Sequence, residues 1–384
     1  MRKAVSGGVQ EARRLVAYRG KAPVISLYLD LDPEQFATAP ARASQIHSLL
    51  DAAAKEIESE KQDRSHEERV GLRTDVERIG SFLSSPEPPF KGARGLAVFS
   101  SAGGALFETI KLSRPVPAQV VIGATPYVAP MLEAVQTVRW LVALVNRRSA
   151  RVLAGAPDRL SERARLDDGV RGRHEQGGWS QANYERSIEN DVEQHLKRIA
   201  AIVNRRWRQE RFDRVAIGGP QETVPRFEEL LADEVRRQLA PGRVDVDISS
   251  VSEAQLREAV EKLVAEDQKR AERELLDRLE NGIGAGGRAT GGPEATLEAL
   301  NERRVETLLL EPGFDLRGKR CPPCGLLFLD ADDACPADGS PLEEVDHLRE
   351  AVVEAALTQD AGVVVVRSYP DLGPHRGIAA LLRF

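Results

Sequence analysis

The centre of this 384-residue chain carries the sequence Arg171-Gly-Arg-His-Glu-Gln-Gly-Gly-Trp-Ser-Gln-Ala-Asn-Tyr-Glu-Arg186. After it, up to Arg208, apolar side chains recur at helical spacing and charged side chains occupy the other face. The stretch therefore predicts a basic, glycine-containing loop directly before a long amphipathic helix. Gly177 and Gly178 have no Cβ atom, so we expect the tip of this loop to approach another molecule closely.

The side chains of the loop are suited to contact with nucleic acid. Trp179 offers an aromatic face and Ser180 a hydroxyl group, while the Gln181 amide can donate and accept hydrogen bonds but cannot act as a base. The basic side chains around the tip, which suit phosphate groups, are Arg171, Arg173 and Arg186. A second interpretation stays open from the residues alone. In it, Ser180 caps the helix and Trp179 packs onto its own domain.

On both sides of this centre, short β-branched runs alternate with helical patterns, which predicts the α/β class. In the middle region the alternation predicts a sheet with parallel neighbouring strands. The predicted strands are 23–30, 95–100, 105–112, 140–145, 147–153, 214–218, 244–248, 304–310, 362–367 and 378–384. The predicted helices are 41–83, 184–208, 225–239, 254–279 and 345–358. We expect three domains, 1–130, 131–280 and 281–384, with the glycine-rich tract 281–292 as a mobile loop or hinge.

The composition limits the class of protein. Hydrophobic residues make up 41% and charged residues 30% of the chain, a composition that argues against wholesale disorder. The net charge of −6 argues against a surface coated in positive charge, and any RNA contact must be local. No apolar run approaches the length of about 18 residues that a membrane helix needs, and the first residues lack the apolar segment of a signal peptide. We therefore expect a cytoplasmic protein without a membrane partner.

All three cysteines lie close together, in Cys321-Pro-Pro-Cys324-Gly and Cys335-Pro-Ala-Asp338-Gly. Two cysteines separated by two residues can hold one tetrahedral metal ion from a single turn. Asp338 stands where a fourth cysteine is usual, and its carboxylate can ligate zinc. The spacing predicts a zinc-ribbon insert over 318–342 with a structural zinc ion, and His347 is a less well placed ligand. The alternative is a ribbon that keeps its fold without metal.

Three other segments invite a functional interpretation. Ile217-Gly-Gly-Pro220 follows a strand and precedes a helix, but it lacks the spaced glycines or the lysine of a nucleotide-binding loop, so it predicts a tight turn. The basic clusters 147–148 and 205–208 are either solvated faces or RNA contacts. His195 lies near the loop in sequence, and a lone histidine favours a structural role.

Several of these motifs together resemble a known family. They are the sequence 177–186, the helical segment His195-Leu-Lys-Arg198, the turn 217–220 with Arg226-Phe227, and the ending 377–384. With the cysteine segment, they make the chain similar to the archaeal and eukaryotic peptide-chain release factors and their relative Pelota. The chain more closely resembles the bacterial archaeo-eukaryotic release factor families and the peptidyl-tRNA hydrolases of ribosome quality control. The resemblance implies a three-domain, release-factor-like architecture.

The resemblance also implies roles for residues of the loop. Gly177 and Gly178 would be the flexible pair, Gln181 the functional amide and Ser180 its neighbour at the catalytic tip. RNA contacts would come from the basic and aromatic side chains of this region: Arg171, Arg173, Trp179, Arg186, Lys197 and Arg198. Trp179 and Ser180 separate the glycines from the glutamine, unlike in the termination factors, whereas the quality-control relatives also carry a serine before the glutamine. This departure favours ribosome rescue over stop-codon reading.

The expected function is cleavage of peptidyl-tRNA on stalled ribosomes or large subunits. Its partners would be the 70S or 50S particle, peptidyl-tRNA and rRNA, and a translational GTPase is a further candidate. Two alternatives remain open from the sequence. One is a non-enzymatic hibernation factor that occupies the A site of an idle ribosome, and the other is an RNA-binding regulator that acts away from the ribosome.

Overall fold

The computed structural model describes residues 7–20, 22–59, 64–85, 90, 93–101, 106–134, 138–157, 160–168, 181–248, 250–284, 287–331, 333–369 and 371–384. Within them, strands form four separate sheets, and helices pack against the three larger ones. The predicted α/β class is confirmed. The chain divides into two compact units, Thr137–Ala271 and a second unit that combines Gly7–Gln136 with Glu272–Phe384. The three domain limits drawn from the sequence remain a prediction.

The N-terminal region is built on an antiparallel sheet with the strand order β3-β2-β1-β4. Its elements are α1 (Gly7–Val16), β1 (Val24–Asp30), α2 (Ala39–Ile57), α3 (His66–Leu83), β2 (Gly95–Ser101), β3 (Leu106–Leu112), β4 (Gln119–Gly123) and α4 (Ala129–Ala134). Alternate side chains of β1, namely Ile25, Leu27 and Leu29, share one core with apolar side chains of α2 and α3. The period-2 pattern of β1 thus directs one face of the sheet onto these helices.

The predicted single helical stretch 41–83 is wrong in one respect, because two helices occupy it. The hydroxyl of Ser65 accepts a hydrogen bond from the Glu68 N–H at 3.2 Å, and the Glu68 carboxylate accepts one from the Ser65 N–H at 2.8 Å. This reciprocal capping satisfies free backbone donors at the start of α3. Helix α3 therefore begins at its own cap, and α2 and α3 are two separate helices.

The middle unit contains a sheet with the strand order β7-β6-β5-β8, in which β5 and β8 are parallel and the other pairs antiparallel. Its elements are β5 (Trp140–Val145), β6 (Ser149–Gly155), β7 (Ser161–Asp167), α5 (Gln181–Gln209), β8 (Arg214–Gly218), α6 (Val224–Glu229), α7 (Asp233–Arg236) and the first part of α8 (Glu253–Gly284). The apolar side chains of α5 pack with one face of the sheet. Those of α8 pack with the other face, so β5 is buried on both sides.

Two predictions in the middle unit are wrong. The helix 225–239 is interrupted because the Asn204 side chain accepts a hydrogen bond from the Ala232 N–H at 2.9 Å, and α6 and α7 result. The strand 244–248 does not form, since only Val244 makes a bridge, to Gly218. The chain then turns, with the N–H groups of Ser250 and Val251 donating to the Asp247 carbonyl.

The C-terminal region of the second unit has a four-stranded sheet with the order β14-β10-β15-β9 and a small sheet with the order β12-β11-β13. Its elements are β9 (Ala289–Gly291), α9 (Pro293–Asn301), β10 (Val305–Leu310), β11 (Gly318–Arg320), β12 (Leu327–Phe328), β13 (Glu343–Val345), α10 (Leu348–Thr358), β14 (Gly362–Val365), a 3-10 helix at Gly373–His375 and β15 (Ile378–Leu382). The small sheet falls within the predicted ribbon and its edge.

The glycine-rich tract 281–292 is not a loop over its whole length. Helix α8 continues to Gly284, and β9 pairs with β15 within the same tract. The predicted helix 345–358 begins later, at Leu348, because the residues before it form β13. Within the described residues, no helix combines the length and the apolar character required to cross a membrane.

Candidate functional site

The residues predicted to form the tip of the loop lie outside the part of the chain that the structure describes. They are Arg171, Arg173, Gly177, Gly178, Trp179 and Ser180. Gln181 is the first residue of α5, and β7 ends at Asp167. The predicted order of a loop followed by a long helix is therefore consistent with the elements on either side. The roles assigned to the tip residues remain predictions.

Asp168, directly after β7, joins this strand to helix α5. Its carboxylate contacts Nδ1 of His195 and accepts a hydrogen bond from the Arg198 guanidinium at 2.6 Å. The Asp168 N–H donates to the Arg148 carbonyl at 2.8 Å, which fixes the acid against the β5–β6 turn. Asp168 thus joins the end of β7 to the middle of α5, about 20 Å along the helix from Gln181.

His195 is fully buried on the apolar side of α5, and its Nε2 atom makes no hydrogen bond with any described residue. Its place beside Asp168 fits the structural role that its sequence context favours. The sequence did not reveal Asp168 itself. The contact of Asp168 with α5 is evident only in the folded structure, where the helix lies beside the end of β7.

The basic residues predicted on α5 differ in their surroundings. Arg186 is exposed. Lys197 forms an ion pair with Glu193 at 2.7 Å, and this contact lowers the pKa of the Glu193 carboxyl. Arg198 is engaged with Asp168. The charges of Lys197 and Arg198 are therefore partly offset within the protein, whereas Arg186 faces solvent.

The turn at 217–220 is a close-packed strand end. A Cβ atom on Gly218 would lie 2.5 Å from the Val244 carbonyl oxygen, and one on Gly219 would clash with the Val145 carbonyl. Gly219 also has a φ of +148°. Close packing therefore explains why glycine stands at both positions, as the sequence predicts. These contacts do not indicate a phosphate-binding loop.

The predicted ligand residues Cys321, Cys324, Cys335 and Asp338 come together in one cluster, in which the four ligand atoms all lie within 4.8 Å of one another. The Cys324 and Cys335 sulfur atoms are 3.6 Å apart, and the Cys321 sulfur is 3.6 Å from either oxygen of Asp338. Two sulfur ligands of a tetrahedral zinc ion are separated by about 3.8 Å. The cluster could therefore hold a metal ion with little rearrangement.

Two equivalent backbone turns build this cluster. In the first, the Gly325 N–H donates to the Cys321 carbonyl at 2.8 Å, and in the second the Gly339 N–H donates to the Cys335 carbonyl at the same distance. Gly325 and Gly339 have φ values of 75° and 72°, in the left-handed region that favours glycine. Asp338 thus occupies the position that corresponds to Cys324. His347 contacts Asp315 at 2.7 Å instead and is not among the four clustered residues.

The cluster has distinct protonation preferences. Burial raises the pKa of the Cys321 thiol to about 12. A hydrogen bond from the Leu326 N–H lowers the pKa of Cys324, and one from the Ser340 N–H lowers that of Asp338. A metal ion that binds here must displace the proton of Cys321, whereas Asp338 already offers a carboxylate.

Comparison with known proteins identifies relatives of this chain. Residues 126–268 match the model of bacterial archaeo-eukaryotic release factor family 10. The matched range contains β5 to β8, helix α5 and the predicted loop. The resemblance predicted from the sequence motifs is confirmed.

Relatives extend beyond the matched range. Peptide chain release factor subunit 1 of Archaeoglobus fulgidus is 26% identical over 98% of this chain and 96% of its own length. The protein of the same name from Methanocaldococcus jannaschii is 24% identical, over 97% of this chain and 95% of its own. A crystal structure of the archaeal translation termination factor aRF1 is 20% identical and covers 98% of this chain and 97% of that one, with a TM-score of 0.28. The two full-length sequence matches relate the chain to translation release factors.

Proposed function

We propose that this protein is a ribosome-associated, release-factor-like hydrolase that cleaves peptidyl-tRNA to rescue stalled ribosomes or large ribosomal subunits. The observation that carries the proposal is the place of Gln181, the last residue of the Gly-Gly-Trp-Ser-Gln sequence, as the first residue of the long helix α5. The match of residues 126–268 to a release factor family supports it. The partners would be the 70S or 50S particle, peptidyl-tRNA and rRNA, with a translational GTPase as a candidate for delivery.

The proposed mechanism assigns positioning to Gln181 rather than proton abstraction. A glutamine amide can hold a water molecule, or the ribose hydroxyl of the tRNA end, by donating and accepting hydrogen bonds. Water then adds to the ester carbonyl, the bond to the ribose oxygen breaks, and the products are the free peptide acid and the tRNA 3′ hydroxyl. Gly177, Gly178 and Ser180 shape the tip, while Arg171, Arg173, Trp179 and Arg186 contact RNA.

A loop between two folded elements, β7 and α5, has a physical advantage for such a task. A loop that is fixed at both ends loses less conformational entropy when its tip becomes ordered on a ribosome than a segment with free ends. Asp168 contributes through the Arg198 ion pair at 2.6 Å and the contact with buried His195. Both partners lie on the helix that Gln181 begins.

The test is single-turnover release from purified stalled complexes that carry labelled peptidyl-tRNA. Wild-type protein is expected to release peptide, and Gln181→Ala is expected to slow release by roughly 100-fold or more, the scale of losing a positioning or oxyanion contact. Gln209→Ala, at the other end of the same helix, is the matched control and should keep the wild-type rate.

The same experiment includes co-sedimentation with ribosomes, which separates the alternatives. Full release by Gln181→Ala would overturn the role of this amide. Binding to 70S particles without any release by the wild type would replace the proposal with a hibernation role. Absence from all ribosomal fractions would instead favour a regulator that acts away from the ribosome.

Zinc is the metal that we propose for the cluster of Cys321, Cys324, Cys335 and Asp338. Thiolate-rich tetrahedral sites with a carboxylate are well suited to zinc, and four protein ligands leave no open position for a catalytic water. The separations of 3.6 Å support this choice. The ion would stabilise the small β12-β11-β13 sheet, in which the paired residues Arg320 and Leu327 flank the first turn.

A further inference from the structure

An arginine-lined cleft lies in the middle unit, at the end of the sheet where β5 and β8 finish. Its volume is about 670 Å³. The walls come from the β5–β6 turn, the end of β7, the turn after β8 and the segment before α8. The lining residue Asp167 directly precedes Asp168, so the cleft borders the base of the predicted loop.

Four arginines and two carboxylates line the cleft, in a chain whose net charge is −6. Arg151 and Arg165 share a single partner, Glu162, at 2.6 Å and 3.1 Å. Arg147 shares Glu189 with Arg226, which lies outside the lining. Arg147 also lies 3.9 Å from Glu222. The four lining arginines therefore face the carboxylates of Asp167, Glu222 and the neighbouring Glu162, which leaves a small local excess of positive charge.

Arg148 is the clearest ligand-binding candidate in this cleft. Its side chain is exposed, and its guanidinium makes no hydrogen bond or ion pair with any residue that the structure describes. Its backbone is nevertheless held, because the Arg148 N–H donates to the Asn146 side chain at 2.8 Å and its carbonyl accepts from Asp168. A fixed backbone with an unengaged guanidinium can bind an anion at a small entropic cost.

The other residues that line the cleft indicate which class of ligand it would bind. Ile248, Val251 and Leu166 give the cleft an apolar part, and the Ser149 and Ser250 hydroxyls add hydrogen-bonding groups. The volume falls in the range of ligand pockets and exceeds the size of a single phosphate ion. Guanidinium groups suit phosphate oxygens, and apolar side chains suit the faces of sugars and bases.

We infer that this cleft binds the sugar-phosphate backbone of a single-stranded RNA segment, with Arg148 as a principal phosphate contact and Arg165 as a second. The inference rests on the proposed function, because it assigns a path to the RNA strand beside the loop base. It deepens that proposal by placing a binding surface on the strands β6 and β7, apart from Gln181. RNA binding in this cleft requires no peptide release.

The test is fluorescence anisotropy with a fluorescein-labelled single-stranded RNA oligonucleotide at low ionic strength, without ribosomes. Arg148→Ala is expected to raise Kd roughly three- to tenfold and to lower the slope of log K against log salt by about 0.7, the effect of losing one phosphate contact. Because Arg148 has no partner among the described residues, the variant should keep its fold. Arg148→Glu should weaken binding further.

Arg211→Ala is the matched control. Arg211 is also exposed, but it precedes β8 and therefore lies at the opposite end of the sheet from the cleft. An unchanged Kd for Arg148→Ala, or equal losses for Arg148→Ala and Arg211→Ala, would overturn the inference. Displacement of the RNA by adenosine monophosphate at equal concentration would also overturn it, in favour of a mononucleotide site. Gln181→Ala should bind RNA like the wild type, so this result stays separate from the release assay.

Discussion

Asp338 places a carboxylate at the position of the second turn where a cysteine thiolate, a softer donor, is usual. The turn around it matches the turn around Cys324, down to the glycine with positive φ that follows each ligand. The sequence predicted all four members of the cluster because both turns are local, so the spacing of the residues nearly determines their geometry. Asp168 and His195, which are 27 positions apart in sequence, could not be paired this way.

The metal prediction follows from the chemistry of that position. Asp338→Cys is expected to tighten zinc binding, since a fourth thiolate is a softer donor than a carboxylate. Asp338→Ala removes a proposed direct ligand and should weaken binding by at least the roughly 10- to 100-fold that loss of an outer-shell partner costs. Competition with a chromophoric zinc chelator measures both changes.

Asp330→Ala provides the control for the metal prediction, because Asp330 is an exposed carboxylate in the same insert and is not one of the four clustered residues. It should bind zinc like the wild type. If Asp338→Ala kept the wild-type affinity, the fourth ligand would have to be another group. If the wild type bound no zinc at all, the ribbon would hold its fold without metal.

At the scale of elements, local pattern strength decides which predictions succeed. Helix α5 combines a long apolar stripe with a charged face, and its predicted range 184–208 lies within the observed helix. Strand β7, by contrast, has mostly exposed side chains on Ser161–Asp167 and no strong apolar signal. It exists because its backbone pairs with β6. The interruption between α6 and α7 likewise depends on Asn204, which approaches only after folding.

Helix α4 provides a pH-dependent contact between two elements. The Glu350 carboxylate of α10 accepts hydrogen bonds from the N–H groups of Val128 and Ala129 at 2.9 Å and 3.0 Å. Burial nevertheless dominates and raises the pKa of Glu350 from 4.5 to about 7. The folded state therefore binds a proton that the unfolded chain has released between these pH values.

The raised pKa of Glu350 makes the free energy of unfolding depend on pH. As pH rises from 4.5 to about 7, the contribution of Glu350 lowers the free energy of unfolding, by at most about 3 kcal/mol. Glu350→Gln should reduce this decline, as measured by urea unfolding followed by circular dichroism across that window. Glu298→Gln, an exposed control on α9, should leave the decline unchanged. Identical pH profiles for Glu350→Gln and wild type would show that burial does not raise this pKa.

At the scale of the whole molecule, the sequence predicts separate α/β regions but does not reveal which of them pack together. The N-terminal and C-terminal regions form one compact unit, and the middle unit lies between them in sequence. The contacts that join them are specific and distant in sequence, such as the ion pair between Arg349 and Glu133 and the hydrogen bond from Arg13 to the Ala361 carbonyl at 2.7 Å. No local pattern encodes a pairing across more than 200 residues.

This division predicts how fragments behave. Residues 137–271 contain the core clusters on both faces of their sheet, so the fragment should unfold cooperatively on its own. All three tryptophans, Trp140, Trp179 and Trp207, lie in this range, so tryptophan fluorescence of the full chain reports on the same unit. The urea midpoints of the fragment and of the full chain, both measured by this fluorescence, are expected to agree.

Residues 7–136 alone should behave differently, because they lose the contacts of Arg13, Glu133, Val128 and Ala129 with the C-terminal region. Two unmade backbone hydrogen bonds and two lost arginine contacts are each worth about 1 kcal/mol or more, a large share of the stability of a small domain. Circular dichroism should show a shallow urea transition for this fragment. A sharp, cooperative transition would instead establish the N-terminal region as an independent domain, as its sequence limits of 1–130 predict.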